Sequence, residues 1–369
     1  MPKSRLLLVL LCSAAAAPAA ALEFTNPNGS SVKLYGQLNP AYLTYDDGQE
    51  TNGALVDNNN SNSRAYLFVY WPFADETKLT FNFETSLGFF QSNNLNITSF
   101  EGQQWYSWSE SDIRKLELNY ASNFGTIWAG QGSMPTDGIA EIDYSKTSVI
   151  GLFGLSGRGY GFAFRESDGD LSSITVKKVF INLEGTRRMR LRYDTPDFNG
   201  FKFSVAVYEN VLTGDNKYYA DAAIRYENKF GDVKFGAYLG YNYSEDKDDS
   251  DINTEAWMGS VSAIHEPSGI NGTLATGAYA GQDGNYVYAK FGWTGEVWDI
   301  GATSVAAEYY NSNDIGLDGS GTSWGLMAVQ AVKPWNTEVY MGYRKYALDS
   351  DTTNYDDSAS FMVYARWKF

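Results

Sequence analysis

The sequence predicts an all-β protein, a transmembrane antiparallel β-barrel of about sixteen strands. Three observations carry this prediction. Apolar and polar residues alternate with a period of two through most of the chain, aromatic residues gather at the ends of the alternating runs, and the chain stops on an aromatic residue, Phe369. Such alternation gives each strand one apolar and one polar face, and an apolar outer face suits a barrel that stands in lipid.

Residues 1–21 are predicted to be a secretory signal peptide. Lys3 and Arg5 give the chain a basic start, an apolar run of leucines and alanines follows, and small residues precede the expected cleavage site. The apolar run is too short to cross a bilayer as a helix. The mature chain, residues 22–369, is expected to form one barrel domain without disulfides, because Cys12 is the only cysteine.

The alternating runs have the length of membrane-crossing strands. They extend over about ten to twelve residues, as a tilted strand needs to cross a bilayer, whereas strands of soluble sandwiches usually have about five or six. Aromatic residues at both ends of the strands are typical of the two interfaces of a membrane barrel. The clearest runs are residues 78–85, 202–208, 233–242 and 338–344, and the aromatic residues at strand ends are Tyr45, Trp71, Phe73, Trp293, Trp298, Trp335 and Trp367.

The connections between these runs alternate between tight turns and longer polar loops, as in barrels with short periplasmic turns and long outer loops. Hydrocarbon offers no hydrogen bonds, so the sheet must close on itself, and a barrel of this size holds water inside. The predicted turns are residues 72–76, 121–123, 195–200, 228–232, 266–269, 294–297 and 333–336. The predicted outer loops are residues 46–62, 91–104, 132–185, 210–216, 244–254, 281–284, 311–321 and 348–357.

The last strand carries the sharpest local signal. Every second residue of this strand is apolar or aromatic, up to and including the C-terminal residue. This pattern resembles the assembly signal of bacterial outer-membrane barrels, which implies the barrel-assembly machinery as a partner. The residues of the signal are Phe361, Val363, Ala365, Trp367 and Phe369.

Four short motifs, in the same order along the chain, resemble the Gram-negative general porin family. They are residues 32–37 (VKLYGQ), 63–67 (SRAYL), 124–131 (FGTIWAGQ) and 192–201 (RYDTPDFNGF). The resemblance implies a sixteen-stranded homotrimeric barrel in the outer membrane, whose third outer loop folds into the pore. It also implies a water-filled channel for passive diffusion of ions and small hydrophilic solutes, in contact with lipid and lipopolysaccharide.

The longest connection, residues 132–185, is expected to narrow the channel, because a long loop in a compact barrel is usually functional. Acidic residues of this loop would face basic residues of the inward parity on the second and sixth strands. Arginine facing hydrocarbon costs roughly 2–4 kcal/mol, which favours the lumen for these side chains. The residues expected at the constriction are Arg64, Arg188, Arg190, Arg192, Asp137, Glu141 and Asp143.

The charge of the chain excludes nucleic acid as a partner, but it does not decide whether the channel prefers cations or anions. The chain has 28 basic and 44 acidic residues, a formal net charge of −16, which is the wrong sign for nucleic-acid binding. The acidic excess favours cations, whereas the arginines of the sixth strand leave open a channel selective for anionic nutrients. No cofactor is expected, although Ca²⁺ could bind one acidic outer loop through Asp246, Asp248, Asp249 and Asp251.

A barrel enzyme or adhesin is the remaining alternative. His265, the only histidine, is expected beside a periplasmic turn, without an obvious serine or aspartate partner. Catalysis by a histidine needs such partners within hydrogen-bond reach. The sequence therefore predicts a channel and no enzyme.

Overall fold

The computed structural model describes residues 21–73, 76–97, 103–151, 159–209, 214, 216–249 and 251–369. The predicted signal peptide lies outside these residues except for Ala21. Among the described residues, none of the helices has the length and apolarity to cross a membrane.

Almost all regular structure is β-strand, as the period-two pattern predicts. The strands are β1 (Leu22–Thr25), β2 (Ser31–Leu38), β3 (Pro40–Asp46), β4 (Thr51–Asp57), β5 (Arg64–Pro72), β6 (Lys78–Ser86), β7 (Ile113–Ser122), β8 (Gly125–Ser133), β9 (Ala163–Arg165), β10 (Leu171–Thr175), β11 (Arg187–Asp194), β12 (Phe201–Glu209), β13 (Lys217–Phe230), β14 (Val233–Asp246), β15 (Asn253–His265), β16 (Ile270–Ala280), β17 (Asn285–Trp298), β18 (Gly301–Asn313), β19 (Ser320–Val332), β20 (Thr337–Asp349) and β21 (Ser358–Lys368). In the described part of the chain, one short helix, α1 (Val176–Val179), follows β10, and four 3-10 turns span Asn59–Ser61, Ser92–Asn94, Glu110–Asp112 and Lys333–Trp335.

The strands form a closed barrel of sixteen antiparallel strands, which confirms the predicted fold class. Strands β2 and β3 together make the first barrel strand, and β4 and β5 together make the second. The last strand, β21, pairs with β3 and β2, so the sheet has no free edge along this seam. Phe369 completes the closure: its N–H donates to the Gly36 carbonyl over 3.0 Å and its carbonyl accepts from the Gly36 N–H over 2.8 Å.

The two parities of each strand face different surroundings. On β12, Phe203, Val205 and Val207 are 42%, 53% and 61% exposed, whereas the intervening Ser204 and Ala206 are buried. Large apolar side chains this exposed would be costly in water, but they suit the lipid around a barrel. The outer face is therefore apolar and the inner face polar, as the alternation predicts.

Two predicted connections differ from the structure. Residues 46–62 were expected to be an outer loop, yet β4 lies inside this range and pairs with β3. Residues 294–297 were expected to be a turn, but they belong to β17, whose register with β18 shifts between Gly295 and Trp298. The outer turn is therefore confined to residues 47–50, while the turn-forming residues between β4 and β5 and those at 294–297 accompany irregularities within a barrel strand.

Candidate solute pathway

The inner face of strands β5, β6 and β7 concentrates charge around one carboxylate, Glu84. Its side chain is only 5% exposed, and Arg64 Nη1 lies 3.0 Å from Glu84 Oε1. Lys115 Nζ lies 3.6 Å from Glu84 Oε2, and Arg114 Nε also binds Oε1. One carboxylate therefore meets three cations, so this cluster carries excess positive charge. We call these four residues the Glu84 cluster.

A β-bulge brings Arg114 into the Glu84 cluster. Glu84 pairs with Lys115 and Thr85 pairs with Ile113, so Arg114 is the extra residue between two successive pairs. A bulge re-aims the side chain of the extra residue. Strict alternation from Lys115 would place Arg114 on the lipid side, so sequence parity could find Lys115 but not Arg114.

Arg190 on β11 is bound within the barrel wall. Its Nη2 lies 2.5 Å from Glu117 Oε2 on β7, and both side chains are only 2% exposed. The same guanidinium donates to the carbonyls of Gly130, over 2.8 Å, and Ser133, over 3.0 Å. Gly132 leaves room for this pair, because an added Cβ there would collide with Glu117 Oε2. Arg190 therefore ties three strands together, and its predicted part in ion selectivity stays a prediction.

The other two inward-parity arginines of β11, Arg188 and Arg192, also have partners on the inner face. The Arg188 guanidinium lies 4.1 Å from the ring centre of Tyr219 and 5.5 Å from that of Tyr208, a cation–π arrangement. Arg192 Nε donates to Asp194 Oδ1 over 2.7 Å. The contacts of Arg188 with β12 and β13, and of Arg192 with Asp194 on β11 itself, show that these arginines lie on the inner face of the barrel.

The three acids expected at the constriction lie on the long connection between β8 and β11, residues 134–186, which we call the long segment. Asp137 Oδ2 lies 3.6 Å from Arg187 Nη1, at the first residue of β11. Asp143 Oδ2 lies 2.7 Å from Lys290 Nζ on β17, and both side chains are at most 5% exposed. Asp143 thus belongs to a buried ion pair with a residue that sequence analysis missed.

Glu141 is joined to a second carboxylate of the long segment, Glu184. The Asn182 side-chain amide donates to both, over 3.2 Å and 3.1 Å. Burial raises the pKa of Glu141 to about 8; the neighbouring Asp137 charge adds to the rise and Arg187 opposes it. Burial and the charges of Glu141 and Asp137 also raise the pKa of Glu184, while backbone N–H groups that donate to it oppose the rise.

Polar groups of the long segment bind inward-facing residues of several strands. Thr294 Oγ1 on β17 donates to the Ser145 carbonyl over 2.9 Å, and Lys290 Nζ donates to the Gly151 carbonyl over 2.7 Å. Tyr310 on β18 donates to the Ile181 carbonyl over 3.0 Å. At the second barrel strand, Asn58 Nδ2, between β4 and β5, donates to the Val149 carbonyl over 2.8 Å.

Apolar side chains of the long segment form a buried cluster with the barrel. Tyr45 stacks on Phe162 with ring centres 3.9 Å apart, and Phe180 packs against Tyr310 and Tyr346. Such a core holds a connection in one place, because leaving it would expose the buried rings to water. Other members include Ile139, Val149, Phe164, Val179, Met258 and Tyr286.

The acidic outer loop expected to hold Ca²⁺ has mainly local contacts. Asp246 and Asp249 accept backbone N–H groups two residues ahead, and Asp248 Oδ2 accepts from Asn216 over 2.7 Å. Within the described ranges no three acidic, histidine or cysteine side chains come close enough together to hold a metal. Calcium binding through Asp246, Asp248, Asp249 and Asp251 stays a prediction.

A closed barrel with an apolar outside and a charged, water-accessible inside defines a transmembrane channel. Comparison with known proteins specifies the class further. A family model described as Gram-negative porin matches residues 7–352. The chain therefore belongs to the Gram-negative porin family, and it is an outer-membrane channel for diffusion of solutes. No curated protein sequence matches it significantly.

Solved structures with the same fold share little sequence with the chain. The anion-selective porin from Comamonas acidovorans is 17% identical, with a TM-score of 0.63 over 92% of this chain and 100% of that one. The trimer form of in-vitro folded OmpT of Vibrio cholerae is 15% identical, with a TM-score of 0.56 over 92% and 99%. Salmonella typhi OmpF in complex with daunomycin is 12% identical, with a TM-score of 0.56 over 94% and 100%.

Proposed function

We propose that the long segment runs along the inner wall and narrows the lumen. Its contact with Thr294 lies a few residues from the periplasmic end of β17, whereas α1 packs against Gly321 near the outer end of β19. The contact between Asn58 and Val149 crosses towards the second barrel strand. These contacts support a constriction over much of the barrel height, with the remaining water path beside the wall that carries the Glu84 cluster.

Diffusion along this path is passive, and its ionic preference follows from the wall charges. The Glu84 cluster sets one carboxylate against three cations, and its Lys115 side chain is 34% exposed. Charges that line a narrow path act on ions at close range, whereas charges on outer loops are screened within about 8 Å at physiological salt. We therefore propose a preference for small anions, despite the negative net charge of the chain.

The observation that carries this proposal is the excess of cations around Glu84, and reversal potentials test it. In planar bilayers with a potassium chloride gradient, the protein is expected to pass chloride more readily than potassium. The variant with Arg64→Gln and Lys115→Gln removes two of the cations, so the chloride preference should fall or reverse. Lys345→Gln is the matched control. Lys345 lies near the outer end of β20, where it pairs with Asp357, so its replacement should change the reversal potential little. A cation preference in the unmodified protein would contradict the proposal.

The anion preference is expected to weaken as the pH rises. A raised pKa keeps the Glu141 carboxyl neutral at low pH, and deprotonation around pH 8 adds negative charge beside Arg187. Reversal potentials from pH 6 to pH 9 measure the effect. Glu141→Gln should flatten the dependence over this range, whereas Asp168→Asn, in the exposed turn between β9 and β10, should preserve it. An unchanged slope in Glu141→Gln would count against the assignment.

Further partners follow from the family and fold. We propose a homotrimer in contact with lipid and lipopolysaccharide, inserted by the barrel-assembly machinery through the last strand. The trimer form of the similar OmpT barrel supports the trimer. A band of threefold mass on mild gels that collapses on heating is the expected result, and a heat-insensitive monomer band would contradict it.

We propose that the protein carries out no reaction. His265 is exposed, and, contrary to the expectation from the sequence, it has a serine partner: its Nδ1 lies 2.8 Å from Ser268 Oγ in the turn after β15. The adjacent carboxylate of Glu266 is bound by Lys229 at 2.5 Å rather than by the histidine. These contacts support a structural part for His265 in the turn.

A further inference from the structure

A file of aromatic side chains continues from the Glu84 cluster towards the periplasmic end of the barrel. On β5, Tyr66, Phe68 and Tyr70 have the same inward parity as Arg64, and Tyr35 lies opposite Tyr66 on β2. Strand residues of one parity are about 7 Å apart, so the rings on β5 cover about 13 Å of the path. We call Tyr35, Tyr66, Phe68 and Tyr70 the aromatic track.

The rings of the aromatic track are not part of the buried core of the barrel. All four side chains are partly exposed, and none packs in the buried apolar clusters of the described residues. Tyr35 and Tyr66 stack with ring centres 4.4 Å apart and planes 6° apart. In the described part of the chain their hydroxyls make no hydrogen bond, so each remains available to a solute.

A cavity of about 590 Å³ opens at the periplasmic end of the aromatic track. Tyr35 and Phe68 line it together with two ammonium groups, those of Lys33 and Lys368. Lys33 is 42% exposed and lies 3.7 Å from Glu23, and Lys368 is 46% exposed and lies 2.8 Å from Glu338. Exposed pairs of this kind are held weakly and can exchange partners. Rings and cations thus occur side by side.

We propose that the aromatic track binds small organic anions that carry a flat ring, as they pass from the Glu84 cluster to the cavity beside Lys33 and Lys368. Flat rings stack on tyrosine and phenylalanine rings, and a carboxylate is attracted by the ammonium groups at either end. Successive rings of similar character allow a solute to move stepwise without being held. The proposal rests on the proposed anion path and adds the class of solute that this path favours.

Current block in planar bilayers tests the proposal. With potassium chloride on both sides, 4-hydroxybenzoate is expected to block the current at about tenfold lower concentration than propionate, which has the same charge and no ring. Glucuronate, a ring that is not flat, should resemble propionate. Equal block by 4-hydroxybenzoate and propionate would overturn the proposal, and so would block by glucuronate as strong as that by 4-hydroxybenzoate.

Variants assign the block to the track. Tyr66→Leu combined with Phe68→Leu should weaken block by 4-hydroxybenzoate about fivefold, whereas Tyr66→Phe should retain it. Phe81→Leu, an apolar change of the other parity on β6, is the matched control and should leave block unaltered. Heat-modifiable migration on gels confirms that each variant has folded. Undiminished block in the folded double variant would overturn the proposal.

The two proposals fail in different ways. Reversal potentials in potassium chloride alone report the anion preference, and they involve no ring-bearing solute. A chloride preference without ring-dependent block would leave the anion path standing and overturn the aromatic track. A potassium preference would overturn the anion path itself.

Discussion

Replacing residues 135–185 by a short glycine–serine turn is expected to raise the single-channel conductance several-fold. Ser133 at the end of β8 pairs with Arg187 at the start of β11, so the two strands already form a hairpin that a short turn can close. The deletion removes the long segment, which we propose runs along the inner wall, together with its buried cluster. Because ionic current depends on the narrowest cross-section, the wider lumen should conduct more and admit larger solutes.

Single-channel recordings and liposome swelling with sugars of increasing size measure this effect. The matched control shortens the outer loop of residues 247–252, between β14 and β15, by a similar turn, and its conductance should stay close to that of the unmodified protein. Unchanged conductance in the folded deletion variant would mean that the long segment does not set the constriction.

Breaking the ion pair between Arg344 on β20 and Glu308 on β18 is expected to lower the free energy of unfolding far more than breaking an exposed ion pair. Both side chains are 0% exposed, and Arg344 Nε donates to Glu308 Oε1 over 2.9 Å. Tyr288 donates to the other carboxylate oxygen over 3.0 Å. Arg344→Met leaves Glu308 buried without its countercharge, which costs about 3–5 kcal/mol in the free energy of unfolding.

Urea unfolding in lipid vesicles, followed by tryptophan fluorescence, measures this loss. Arg344→Met combined with Glu308→Gln removes both charges and should recover much of the stability. Lys333→Met breaks the exposed pair with Glu296 near the periplasmic turn, where both side chains are more than 60% exposed, and should have a far smaller effect. Equal losses in the two single variants would contradict the assigned role of burial.

Most of the barrel could be predicted from alternation, because one parity must meet lipid and the other must not. The same rule placed Arg64, Arg188, Arg190 and Arg192 on the inner face. It could not distinguish the buried Arg190, tied to Glu117, from the more accessible Lys115. Parity gives the direction of a side chain, whereas its exposure depends on the neighbours that surround it.

The partners of the acidic residues in the long segment could not be predicted from the sequence. Asp137, Glu141 and Asp143 were expected to act together, yet Asp143 lies in a buried pair with Lys290, 147 positions along the chain. Glu141 instead shares Asn182 with Glu184. The long segment has no sustained periodicity, so nothing local in its sequence specifies which strand each acid meets.

The sequence by itself determined a closed membrane barrel, since period-two alternation fixes which face of every strand meets lipid and hydrocarbon forces all strand edges to pair. Only the tertiary structure decided which charges neutralise one another and which face the water path. Those outcomes depend on strand register, on the bulge at Arg114 and on long-range contacts of the long segment, and each of these arises when distant parts of the chain are packed together.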